Sequence, residues 1–91
     1  NYQKGDTEGF VNYGLRLKGI QLAVILIENR REGKIKMSFR SKGEFPAHTF
    51  AETFFRGGGH KNAAGGVSFD TMETTQDRLV AAIQEWKNHF E

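Results

Sequence analysis

The sequence predicts an α+β domain, a small mixed sheet of about three or more strands packed with about three helices, and three observations predict it. Residues 20–28 are apolar at almost every position, residues 34–41 alternate apolar with polar, and three other stretches repeat apolar residues at helical spacing. These segments follow one another without a strict strand-helix-strand alternation, which points away from a parallel sheet. At 91 residues the chain is long enough for a single core and too short for two.

Residues 1–6 are polar and read as the remnant of a linker, so the domain proper is expected to span 7–91 as a piece of a longer protein. Asp6 or Thr7 is expected to cap a helix running to about Lys18, with Glu8 in the first turn and Lys18 in the last, where their charges suit the helix dipole. Phe10, Tyr13 and Leu17 would share one face of it, and Gly14 in its middle costs about 1 kcal/mol against alanine. Residues 20–28 have the pattern of a strand buried on both faces, at the centre of the sheet. A polar turn at 29–33 leads into the strand at 34–41, whose period sends Ile35, Met37 and Phe39 to the core and Lys34, Lys36, Ser38 and Arg40 to the other side. A turn of that length cannot carry a parallel crossover, so the pair forms an antiparallel hairpin. Pro46 suits the first turn of a helix, and Ala47, Phe50, Ala51 and Phe54 follow at helical spacing until the glycines stop it. A loop over 57–66, a short strand at 67–69 and a last helix capped by Thr74 or Thr75 complete the order, with Leu79, Ile83, Trp86 and Phe90 as one apolar stripe.

Composition narrows the function classes. The chain has no cysteine, so neither a disulfide framework nor a thiolate metal site is available, and a cytoplasmic location is the expectation. Its longest apolar stretch is well short of the roughly 20 residues that span a bilayer, so no membrane partner is expected. A net charge of +2, with acidic residues spread along the chain, is not the composition of a dedicated duplex-DNA binder.

One segment carries chemistry. Residues 56–66 hold five of the eleven glycines. Gly57, Gly58 and Gly59 free the backbone and clear side chains away from the amide N–H groups, which can converge on an anion. His60, Lys61 and Asn62 follow with hydrogen-bond donors, and phosphate is the ligand this combination fits best. A glycine run also serves as a turn or connector, and on spacing alone the two readings stand level. The spacing does exclude a P-loop and a dinucleotide-binding fingerprint.

The run from Gly57 to Gly65, Gly-Gly-Gly-His-Lys-Asn-Ala-Ala-Gly, resembles the signature of the DHH-associated domain. That is the C-terminal domain of DHH-family phosphoesterases: RecJ-type exonucleases, nanoRNA and pAp phosphatases, and exopolyphosphatase-related proteins. Residues 7–13 resemble the helix that opens this domain in the nanoRNase branch, and Phe39-Arg40-Ser41 resembles its arginine-bearing strand. The resemblance implies the substrate-binding domain of a metal-dependent phosphoesterase that hydrolyses short oligonucleotides, pAp or related phosphoesters. It implies phosphate or substrate contacts from Arg40, Ser41, Gly57, Gly58, Gly59, His60, Lys61 and Asn62, with Asn12 a lesser candidate on the opening helix. No catalytic residue is expected in this domain, though His60 is a candidate assisting donor. In the family, two metal ions, usually manganese, sit in an Asp-His-His domain upstream in the same chain. This sequence has no such triplet, and His48, His60 and His89 are dispersed, so no metal or cofactor is expected here and the isolated domain is expected to be inactive. The implied partners are a phosphorylated mono- or short oligonucleotide and the upstream domain, and the parent protein is compatible with a homodimer.

A second reading is a non-catalytic RNA- or tRNA-binding module of the kind appended to alanyl-tRNA synthetases. The upstream sequence would separate the two, and residues 7–13 lean to the phosphoesterase. A third is a small interaction domain whose glycine loop is only structural. Phe50, Phe54 and Phe55 are read as core rather than as platforms for a base, Trp86 likewise, while Lys34, Lys36 and Lys42 offer diffuse attraction to a polyanion.

Overall fold

The computed structural model describes residues 9–17 and 19–87. The linker remnant, the caps Asp6 and Thr7, and Lys18, His89 and Phe90 lie outside them. In chain order the elements are β1 (Gly9–Leu17), β2 (Ile20–Asn29), β3 (Lys34–Lys42), α1 (Ala47–Phe55), β4 (Gly58–His60), β5 (Ala63–Ser68) and α2 (Met72–Lys87). The strands form one sheet in the order β1-β2-β3-β5-β4. Each pairing is antiparallel, so the α+β class holds while the mixed sheet does not. The described residues contain two helices, where about three were expected.

The described residues cover one face of the sheet and not the other. Leu22, Val24 and Leu26 from β2, Ile35, Met37 and Phe39 from β3, and Ala64 from β5 are buried with Ala47, Phe50, Ala51 and Phe55 of α1 and Leu79, Ala82 and Ile83 of α2. Phe39 meets Phe50 edge-on at 5.7 Å between centroids, and Phe50 in turn meets Trp86 at 5.8 Å, so an aromatic seam joins sheet to both helices. This places Phe50, Phe54, Phe55 and Trp86 in or against the core, away from the uncovered face.

The largest correction concerns residues 9–17, which form a strand and not a helix. Phe10 and Tyr13 satisfy helical spacing, but the same segment carries Val11, Tyr13 and Leu15 at a period of two, and these three pack against the core while Phe10, Asn12, Gly14 and Arg16 face outward. Gly9 and Gly14 weaken a helix, and β2 offers a full-length partner in register from Gly9 opposite Glu28 to Leu17 opposite Ile20. Gly19, at φ 82, takes the left-handed conformation that so short a connection demands.

The expected loop at 57–66 is instead a hairpin of β4 and β5, and β5 ends at Ser68, leaving Phe69 exposed. Ala63 to Ser68 has little strand propensity of its own. Its small residues are what allow it to lie under α1: a Cβ on Gly66 would stand 3.0 Å from the Phe55 backbone oxygen and 3.2 Å from the Phe39 ring. The last helix begins earlier than expected, with the Thr71 hydroxyl accepting from the Thr74 N–H at 3.1 Å. Thr75 is buried, and its hydroxyl pairs with that of Ser68 at 2.7 Å, which ties α2 to the end of β5.

Candidate functional site

Register on the uncovered face sets out the site. Directly opposed residues of neighbouring strands share a face, so the pairings define rows that cross the sheet. One row runs Gly14, Ala23, Arg40, Ala63, His60. The next runs Arg16, Gln21, Lys42. Arg40 therefore stands between alanines, with His60 two strands away, roughly 10 Å across the backbone. Both side chains are exposed. At this end of the sheet a depression of about 600 Å³ is lined by Gly14, Arg16, Gln21, Ala23, Arg40 and Lys42 of this face, together with Asn62 and with Leu15, Leu22 and Ser41, whose row belongs to the covered face.

The charge on this face has one sign. Its strand positions carry Arg16, Lys34, Lys36, Arg40 and Lys42, and no carboxylate. Lys34 is partly answered by Glu32 of the adjoining turn at 3.3 Å. Arg40 donates from Nη1 to the Phe39 carbonyl at 3.1 Å. With the Gln21 amide oriented to present its oxygen, Arg16 donates to it from Nη2 at 2.6 Å and Nε at 3.0 Å.

The residues that follow the glycines are held in a different way. The Ser41 N–H donates to the Asn62 carbonyl at 3.0 Å, the Asn62 amide donates to Ser41 Oγ at 2.9 Å, and Ser41 Oγ donates to the Phe45 carbonyl at 2.8 Å. The first amide of α1, on Ala47, donates to the Lys61 carbonyl. Lys61 Nζ pairs with Glu44 at 3.1 Å, an exposed bridge of small energetic weight. The turn at 61–62 is thus latched to the turn between β3 and α1. Ser41, next to Arg40 in an alternating strand, points to the opposite face and is buried.

The glycines divide by environment. A Cβ on Gly57 would fall 1.8 Å from the Gly65 carbonyl oxygen, and Gly59 has φ 145 with a would-be Cβ 2.7 Å from the Ala63 carbonyl oxygen. Both positions are glycine for packing. Gly58 has no such neighbour, its nearest being Glu52 Oε2 at 3.8 Å. As the edge strand, β4 leaves alternate N–H groups unpaired by β5, and these are available to a ligand beside His60.

The model of the DHHA1 domain matches residues 1–89. The chain belongs to the DHHA1 domain family. A solved structure of an exopolyphosphatase-related protein from Bacteroides fragilis is similar to this DHHA1 domain, with 39% sequence identity and a TM-score of 0.68 over 74% of this chain. The domain spans only 19% of the length of that protein. No curated protein matches the sequence. Among the described residues no cluster of three or more histidine or carboxylate side chains could hold a metal ion, and no helix is long and apolar enough to cross a membrane.

Of the residues expected from sequence, Arg40, Ser41 and Asn62 meet at the depression, and His60 stands in the Arg40 row. Gly57, Gly58, Gly59, His60 and Lys61 do not line it. Asn12 faces outward on β1, one row from Gly14. Arg16, Gln21, Gly14 and Ala23 were not among the expected residues. The signal that finds them is the period of two through residues 11–16, followed across the hairpin to β2.

Proposed function

We propose that this DHHA1 domain binds the phosphate of a phosphoester substrate on its uncovered sheet face, as the substrate-binding part of a DHH-family phosphoesterase acting on short oligonucleotides, pAp or related phosphoesters. The observation that carries the reading is the row of Arg40 and His60, separated by one alanine, on a face with five cationic strand residues and no carboxylate. Guanidinium grips phosphate through paired, charge-assisted hydrogen bonds, and His60 supplies a further donor. Of Gly58 and Gly59 on the edge strand, the one whose N–H turns away from β5 extends the cradle. Asn62 and Ser41 keep the two adjoining turns in place, which fixes where Arg40 starts from.

Family membership and the likeness to an exopolyphosphatase-related protein support a hydrolytic parent. In that parent the manganese ions and the attacking water would belong to an Asp-His-His domain upstream, and this face would close over the substrate they cleave. A cytoplasmic nucleotide pool is the natural source of such a ligand.

The test is a titration of a 5′-phosphorylated dinucleotide followed by amide NMR shifts. Arg40→Ala and His60→Ala are each expected to weaken binding, Arg40→Ala by roughly 10-fold or more, as for a charged hydrogen-bonding partner. Unchanged affinity in both variants overturns the proposal.

A further inference from the structure

The second row of the uncovered face is left over by a site that needs only one phosphate. Arg16, Gln21 and Lys42 lie one row from Arg40, a step of roughly 7 Å along the strands. Three features mark this row as a built position and not a solvated fringe. Arg16 is anchored by two hydrogen bonds to Gln21, which fixes the guanidinium plane and leaves its remaining N–H donors for a ligand. Lys42 reaches the same depression from the far side of Gln21, and no carboxylate lines it. Beside Arg40, in its own row, the floor is open, because a Cβ on Gly14 would have nothing within 4 Å and its neighbour across the hairpin is only Ala23.

We infer that Arg16 and Lys42 hold a second anionic group of the same ligand, one nucleotide step from the phosphate on Arg40, with the small-residue floor beside Arg40 taking the nucleoside. This rests on the reading that Arg40 binds a phosphate. It narrows the ligand to a chain or nucleotide with two phosphates spaced by a sugar. A lone phosphomonoester fills one row only. The directly linked phosphates of a polyphosphate are too closely spaced to match the step from row to row while leaving the floor occupied. Arg16 and Lys42 thereby act on specificity, and Arg40 on binding of either ligand.

The experiment compares two probes, 5′-AMP and 5′-phosphorylated diadenylate, on the full 91-residue chain and on three variants: Arg40→Ala, the double variant Arg16→Gln with Lys42→Gln, and Gly14→Leu. The double variant is expected to lower affinity for the dinucleotide roughly 5- to 10-fold and to leave that for 5′-AMP within about twofold. Gly14→Leu places its Cβ with no atom within 4 Å, so the fold is expected to be retained and dinucleotide affinity to fall. Arg40→Ala weakens both probes. If the double variant weakens the two probes alike, or neither, while Arg40→Ala still weakens both, the second position is overturned and the phosphate reading stands. If Arg40→Ala changes neither probe, or neither binds the unmodified chain, the phosphate reading fails and the second position with it.

Discussion

Gly57, Gly58 and Gly59 are adjacent in sequence and unequal in consequence. Alanine at 57 would press a methyl group into the Gly65 carbonyl at 1.8 Å, backbone against backbone, and alanine at 59 would combine a φ of 145 with contacts of 2.7 Å. Each is expected to cost about 3 kcal/mol or more, lowering Tm by more than about 10 °C in a domain of this size. Gly58→Ala meets ordinary contact distances and should melt within a few degrees of the parent. Three thermal melts check this, and a uniform loss at all three positions would show that the hairpin is not packed as described. The same positions explain why the site was only half legible in the sequence. A glycine run advertises backbone freedom without saying whether a ligand or a neighbouring strand requires it, and here a neighbouring strand requires two of the three. Arg40 was legible because the alternation of β3 fixes its face, and Ser41 because the same alternation buries it. Arg16 was not, since its face depends on whether residues 9–17 are read at a period of two or of 3.6.

At the scale of elements, β2 and β3 could be read as strands directly, the first from its continuous apolar run and the second from its alternation. The expected burial of β2 on both faces does not hold, since Ala23 is exposed and Ile25 and Ile27 are only half-buried. The edges of the sheet could not be read directly. β1 fits both periods, and β4 with β5 is assembled largely from glycine and alanine, with His60, Val67 and Ser68, and its strand conformation comes from the shape of the surface it lies against. The junction of α1 with β4 shows the same dependence on context. α1 is capped after Phe55 by Arg56, which adopts φ 52 and ψ 39, a left-handed conformation usually left to glycine. The glycine sits one position later, at Gly57, because the close approach of the Gly65 carbonyl leaves no choice there. Arg56→Gly should therefore stabilise the chain by about 1 kcal/mol, the relief of the left-handed conformation outweighing the added freedom of the unfolded chain. That corresponds to a Tm rise of about 4–8 °C. A fall in Tm would mean that the arginine side chain contributes more at its surface site than its backbone costs.

At the scale of the whole molecule, the modest net charge of +2 conceals a division. The uncovered face gathers Arg16, Lys34, Lys36, Arg40 and Lys42, while the carboxylates Glu44, Glu52, Asp70, Glu73, Asp77 and Glu85 lie in the turns and on the helix layer. The field over the open face is thus far more positive than composition suggests, and a phosphorylated ligand is drawn to that face from a distance comparable with the Debye length. Binding must then weaken with salt in proportion to the phosphates engaged. For a single-stranded ligand the slope of log affinity against log salt is about −0.7 per phosphate, so a dinucleotide held by two phosphates should lose roughly 7-fold between about 50 and 200 mM salt. A ligand held by one phosphate should lose only about 2.6-fold over the same range. An uncharged dinucleoside with a neutral linkage should show no such slope. Measuring the slope for the unmodified chain and for the Arg16, Lys42 double variant counts the engaged phosphates directly. A slope near −1.4 that falls to near −0.7 in the variant is the expected result, and a slope that is flat in both would mean that the basic face takes no part in holding the ligand.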